Sequence, residues 1–175
     1  MPPTLSDPAR VLWELEQRRL ITETLQDYCH YVDRNDPAAL ATCVFAADGR
    51  FELGSRHAVV GREQLALMFA KTLCVFTRTS HHLSNVRIRF VADDAADSTA
   101  YVYAWHLAAD DGRRIDLWGR YTDRLTLTAE GWRIARRRLT VAGSDGWRDP
   151  PFELVERLPN PVNPPSPRVE RIGDV

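Results

Sequence analysis

Residues 28–36 read YCHYVDRND, and the architecture follows from how the chain enters and leaves this stretch. Behind it, apolar residues recur at Ile21, Leu25, Tyr28 and Val32, a spacing that gathers side chains on one face of an α-helix. Ahead of it, Asp36 followed by Pro37 is a start signal for a second helix. The Asp side chain can accept from the free N–H groups of a first turn, and proline at the first helical position gives up no hydrogen bond. Asp33 therefore falls where one helix ends and the next begins. A carboxylate there meets the negative end of the helix macrodipole, and burial would raise its pKa further, as a general base requires. The same spacing also fits Asp33 and Arg34 as solvated turn residues.

Working outward, the first helix is expected over residues 9–32, with Asp7 and Pro8 as cap and first position, after a disordered lead-in at residues 1–8. The second helix is short, 37–43. A turn follows at 46–49, then a strand at 50–53, a hairpin partner at 57–60 and a third helix at 62–71. That helix offers Leu65, Leu67, Met68 and Phe69 to a sheet. After Thr77 the character changes. Segments 79–91, 98–108, 113–128 and 132–141 are rich in β-branched and aromatic residues and are separated by the turn compositions DDAAD, ADDG and AEG. Helices first and long neighbouring strands afterwards define an α+β fold with an antiparallel meander. The tail at 143–175 holds seven of the eleven prolines, which prevents regular structure over most of it; one helical turn fits at 152–157.

The bulk numbers exclude several classes. A length of 175 residues is that of one domain, and 44% hydrophobic with 27% charged residues is ordinary for a soluble protein. A net charge of −1 supplies no global basic field for nucleic acid or an anionic membrane. No membrane span or secretory signal is visible, so a cytoplasmic location is expected. Cys29, Cys43 and Cys74 are widely spaced and contain no CxxC pair, which reads as buried free thiols.

The chemistry-bearing residues are few. On the last strand, alternation puts Arg137 with Ala135, Leu139 and Val141, and puts Trp132, Ile134, Arg136 and Arg138 on the other face. A guanidinium among apolar neighbours needs an anion, either a substrate oxyanion or Asp33. In TSHHLSNVRIRF, alternation groups His82 with Val86, Ile88 and Phe90, so His82 is expected to point inward. No metal-binding spacing flanks the histidines. Tyr103 and Trp118, with Tyr101, Trp105 and Asp116, could line an apolar cavity or belong to the core.

Four motifs occur in a telling order: Y-x4-D at Tyr28 and Asp33, H-x3-N at His81 and Asn85, GRYTDRL at 119–125 and GWRIARRR at 131–138. Over residues 9–142 the chain resembles the SnoaL-like branch of the NTF2-like superfamily. The resemblance implies a cone-shaped α+β barrel, its curved antiparallel sheet packed around a long N-terminal helix and a deep apolar pocket. It also implies the chemistry of scytalone dehydratase, bile acid 7α-dehydratase and lindane dehydrochlorinase, which carry out cofactor-free elimination on hydrophobic, ring-containing molecules. The catalytic histidine falls on His81, four before Asn85, with His82 as second choice; its aspartate falls on Asp33. Tyr28 matches the helix tyrosine and Arg137 the last-strand arginine of the bile acid enzyme, and His106 is a loose match for the second histidine of scytalone dehydratase. Arg137, His82, Tyr103 and Trp118 are the expected substrate-binding residues. No metal or organic cofactor is implied, and a homodimer or homotrimer is expected. For His81 to face the pocket, a β-bulge must lie between the histidines and Val86. The same fold serves isomerases and cyclases, and the structural β subunits of ring-hydroxylating dioxygenases.

Overall fold

The computed structural model describes residues 7–53, 57–147 and 152–155; the lead-in and most of the proline-rich tail lie outside the described residues. Helix α1 runs Pro8–Asp33, opened by Asp7, whose side chain accepts from the Ala9 N–H at 3.0 Å. The predicted stripe of Ile21, Leu25, Tyr28 and Val32 is its buried face. Helix α2, Pro37–Ala39, starts at the Asp36 cap and runs on as a π-helical turn, Leu40–Val44.

Strand β1, Phe45–Leu53, begins earlier than its sequence indicates, because the residues expected to form a turn are taken into it. They survive as an irregularity. β1 advances from Phe45 to Arg50 while its partner strand advances only from Ile134 to Arg136. Gly49 sits at this crowded point, where an added Cβ would come within 2.9 Å of the Ala46 carbonyl oxygen. Strand β2, His57–Val60, forms the expected hairpin with β1, and helix α3, Arg62–Leu73, buries Leu65, Phe69 and Leu73. Leu67, expected to pack, is exposed.

Strands β3 (Phe76–Ala92), β4 (Ala95–Ala108), β5 (Arg114–Thr128) and β6 (Gly131–Asp145) form the antiparallel meander. The sheet order is β2-β1-β6-β5-β4-β3, with β1 parallel to β6. A short β7, Glu153–Leu154, pairs in parallel with β6, in place of the helical turn expected there. The helices cover one face of the sheet. The core lies between that face and α1, where Trp132 donates to Gln17 at 2.8 Å and Thr24 reaches the Trp132 carbonyl.

Two bulges decide which side chains face this core. On β3 the pairing steps from Ser84↔Tyr101 to Arg87↔Thr99, so one extra residue is accommodated at Asn85, whose φ is +51°. Asparagine tolerates that left-handed backbone better than most residues. On β6 the pairing steps from Leu125↔Ile134 to Arg124↔Arg136, leaving Ala135 as the extra residue. Because side chains alternate strictly, one inserted residue reverses the faces on either side of it. Trp132 and Ile134 are consequently buried together with Arg137, Leu139 and Val141. Simple alternation had put the first two on the opposite face.

Candidate active site

The end of α1 and the start of β3 meet at Asp33 and His81. His81 Nδ1 lies 2.7 Å from Asp33 Oδ1, the His81 backbone N–H donates to Oδ2 at 2.8 Å, and the Thr79 hydroxyl donates to Oδ1 at 2.8 Å. The His81 side chain is only 8% exposed. Burial of the Asp33 carboxyl is the largest influence on its pKa and acts upward. The His81 ring, its N–H and charge, and the Thr79 hydroxyl outweigh it and hold the group below its ordinary value. This corrects the sequence expectation of a raised pKa. The helix-end position is unfavourable, but charge-assisted hydrogen bonds worth about 1.5–3 kcal/mol each offset it.

His81 faces inward because of the Asn85 bulge, and His82 does not. His82 is exposed on the outer face of the sheet, stacked on Tyr103 at 5.9 Å, and Tyr103 in turn stacks on Trp118 at 6.0 Å. The three are directly paired across β3, β4 and β5. Tyr103 is further held by Asp116, which also receives Arg114 Nε at 2.6 Å. These three expected pocket residues therefore form an aromatic row on the side of the sheet away from His81, with Trp118 47% exposed.

His106 emerges instead as the neighbour of His81. Its ring stands perpendicular to that of His81 with centroids 5.2 Å apart, and it is 4.6 Å from the Phe76 ring. Burial, then the charge of His81, lowers its pKa to about 4, and among the described residues its buried Nδ1 has no hydrogen-bond partner. Phe76 and Trp147 line a cavity of about 560 Å³ with Ile115 and Ala108. Phe76 also walls a cleft of about 60 Å³ that reaches Asp33 and Thr79.

Tyr28 and Arg137 belong to a second polar cluster. The Arg137 guanidinium is fully buried, 4.1 Å from the centre of the Tyr28 ring and 4.0 Å from that of Tyr121. Asp123 holds it through two bonds, Nε to Oδ1 at 2.9 Å and Nη2 to Oδ2 at 2.8 Å, and among the described residues Nη1 has no hydrogen-bond partner. The partner of Arg137 within the fold is thus Asp123, not Asp33. Burial, partly countered by Arg137, pushes the Tyr28 phenol up to about 12. Tyr28 packs on Phe45, Phe69 and Tyr121. Cys29 lies between the two clusters, its ionisation influenced by both Arg137 and Asp33. Of the three cysteines only Cys29 is buried; Cys43 and Cys74 are exposed, contrary to the expectation of buried thiols. Among the described residues, no group of three or more His, Cys, Asp or Glu could hold a metal ion.

Asp123 stands in the GRYTDRL motif, but simple alternation gives no sign of its role. Counting back from the β5–β6 turn sets it opposite Arg136, and only the Ala135 bulge moves it opposite Arg137.

A long first helix packed on a mixed, mostly antiparallel sheet is the NTF2-like fold. The SnoaL-like domain family matches residues 13–138, and the chain belongs to that family. No curated protein matches the chain. Among solved structures, a protein of Novosphingobium aromaticivorans DSM 12444 provisionally named a scytalone dehydratase is 25% identical. The match covers 85% of this chain and 99% of that one, with a TM-score of 0.79. A second protein of the same species, provisionally named an aromatic ring hydroxylase, is 27% identical over 78% of this chain and 97% of its own, TM-score 0.71. The hexachlorocyclohexane dehydrochlorinase LinA-type3 of Novosphingobium barchaimii LL02 shares the fold at 16% identity, covering 83% of this chain and 99% of that one, TM-score 0.69. No helix among the described residues is long and apolar enough to cross a membrane.

Proposed function

We propose that the chain is a cofactor-independent lyase of the dehydratase type, acting on a hydrophobic, ring-containing small molecule through Asp33 and His81. The observation that carries this reading is the double hold of Asp33 on His81, through the ring Nδ1 and through the backbone N–H. With Nδ1–H donated to the carboxylate, the neutral imidazole keeps its lone pair on Nε2, the tautomer a general base needs. After His81 takes a proton from carbon next to a carbonyl or aromatic system, Asp33 stabilises the imidazolium, as the aspartate of a hydrolytic triad does; the imidazolium then returns that proton to the hydroxyl as its C–O bond breaks, so the group leaves as water and His81 is neutral again.

His106, neutral at physiological pH because burial holds its pKa near 4, adds no charge against that imidazolium and can hydrogen-bond the departing oxygen. Tyr28 and Nη1 of Arg137, in the second cluster, would stabilise the negative charge that develops on the substrate's carbonyl or ring oxygen rather than on the leaving group. The cavity bounded by Phe76, Ile115 and Trp147, with Asp110, Asp111 and Arg113 also in its lining, has the size of a small-molecule site and joins apolar walls to a charged rim. The 25% identity to the protein named as a scytalone dehydratase supports the same chemistry.

The test is mass-spectrometric turnover of a panel of phenolic, polyketide-like and steroid β-hydroxy carbonyl compounds, run with wild type and His81→Ala side by side. Loss of water that vanishes in the variant supports the proposal; equal turnover by the two proteins ends it. Solvent-deuterium incorporation without mass loss would mark an isomerase or cyclase instead. A second reading, a non-catalytic subunit of a ring-hydroxylating oxygenase, draws on the 27% identical protein named as a ring hydroxylase. It requires co-purification with a larger iron-containing chain.

A further inference from the structure

The outer face of the sheet carries a groove of about 760 Å³, on the opposite side from Asp33 and His81. Two neighbouring cross-strand rows build its floor. In one, Arg87, Thr99, Thr122 and Arg138 are directly paired across β3, β4, β5 and β6; in the next, Tyr101 is paired with Arg120. Directly opposed residues have Cβ atoms about 5 Å apart, so two threonine hydroxyls lie between flanking guanidiniums.

The charges are unbalanced. Among the described residues, Arg87 and Arg120 have no carboxylate partner, and the buried Nε of Arg120 has no hydrogen-bond partner. Arg120 is nevertheless held in place, its guanidinium 4.6 Å from the centre of the Tyr101 ring. A fixed cation loses less freedom on binding than a mobile one. Among the described residues, the one carboxylate lining the groove, Glu153 on β7, is already drawn to Arg138. The groove therefore already accepts an oxyanion at one end and retains unpaired donors at the other.

We infer that this outer groove is a binding site for a small-molecule oxyanion of the phosphate or sulfate ester class, held by Arg87, Arg120 and the Thr99 and Thr122 hydroxyls beside the Tyr101 ring. Guanidinium groups offer planar forks that match such oxyanions, and the hydroxyls complete a set of donors around a tetrahedral centre. A ring attached to the ester has Tyr101 as its stacking neighbour.

The test is isothermal titration of the full chain at low ionic strength with phenyl phosphate, inorganic phosphate and phenol. Wild type, Arg120→Gln, Arg87→Gln and Thr122→Val are compared, with thermal melting to confirm folding and analytical ultracentrifugation to record the oligomeric state. Saturable binding of phenyl phosphate, none of phenol, and a loss of about tenfold or more in Arg120→Gln are expected, with a smaller loss in Thr122→Val and weakening by added salt. Equal affinity for inorganic phosphate would make free phosphate the ligand; tighter phenyl phosphate would make it an ester. Absence of saturable binding by either phosphate overturns the inference, as does unchanged affinity in both arginine variants. Dissociation of an oligomer by both arginine variants would also overturn it, since the groove would then be a subunit interface.

Discussion

Asp33 grips His81 at two points, taking the ring Nδ1–H with one oxygen and the backbone N–H with the other. The imidazole can neither flip nor swing without breaking the bond that sets its tautomer. Asp33→Asn retains the shape but replaces one acceptor oxygen by a donor, so turnover of an identified substrate should fall about 100-fold or more. The folded-state pKa of Asp33 is below its ordinary 3.8, so its contribution to stability is present above about pH 4 and is lost as pH falls through the folded value. Acid titrations of melting temperature should show this step in wild type and lack it in Asp33→Asn.

His106 is linked to pH over a different window. Its folded pKa of about 4 lies beneath the ordinary 6.5, so below pH 6.5 the unfolded chain gains a proton that the folded chain refuses. Stability is full above pH 6.5, declines toward pH 4 and levels below it, by roughly 3 kcal/mol at most. Urea unfolding of His106→Phe across this range should be flatter than that of wild type.

The Arg137–Asp123 pair is completely buried. Asp123→Asn leaves a guanidinium without its counter-charge and should destabilise the fold by about 3–5 kcal/mol. Replacing both, as Arg137→Met with Asp123→Leu, should recover part of the loss. Chemical denaturation of the two single variants and the double one decides this, and equal damage from all three would contradict it.

Asn85 converts sequence into site geometry. Asn85→Gly suits its φ of +51° and should be neutral or better, whereas Asn85→Val should cost about 1–2 kcal/mol. Deleting the residue removes the bulge and sets the two halves of β3 in conflict over which face is buried. A variant lacking Asn85 that melted and turned over substrate like wild type would refute this account.

Trp118 should be dispensable for catalysis, since it lies 47% exposed on the outer face. Trp118→Ala is expected to leave kcat/KM unchanged and to shift stability by less than about 1 kcal/mol. A large rise in KM would return it to the substrate pocket.

The parts of the fold governed by uninterrupted periodicity were readable in the amino-acid order: the Ile21–Leu25–Tyr28–Val32 stripe, both Asp-Pro helix starts and the four-strand meander. The strand faces that alternation misassigns share one physical origin. Alternation assumes one residue per pairing position, and Asn85, Ala135 and the residues between Phe45 and Arg50 break that assumption. His82 was therefore expected inside, and Trp132 and Ile134 on the wrong face. His81 came from the family pattern and not from alternation. Tyr103 and Trp118 could not be assigned to a face by composition, because aromatic residues stabilise either side of a sheet.

The cysteines form a natural clock for opening of the molecule. Cys43 and Cys74 stand in solvent, while burial, the largest influence, raises the Cys29 thiol to about 12. A thiol-directed reagent should modify the first two at once and reach Cys29 only when α1 parts from the sheet. Since Cys29 lies between Asp33 and Arg137, a ligand that ties these two clusters together would slow its labelling, and the rate at that one sulfur would report occupancy of the site even without turnover.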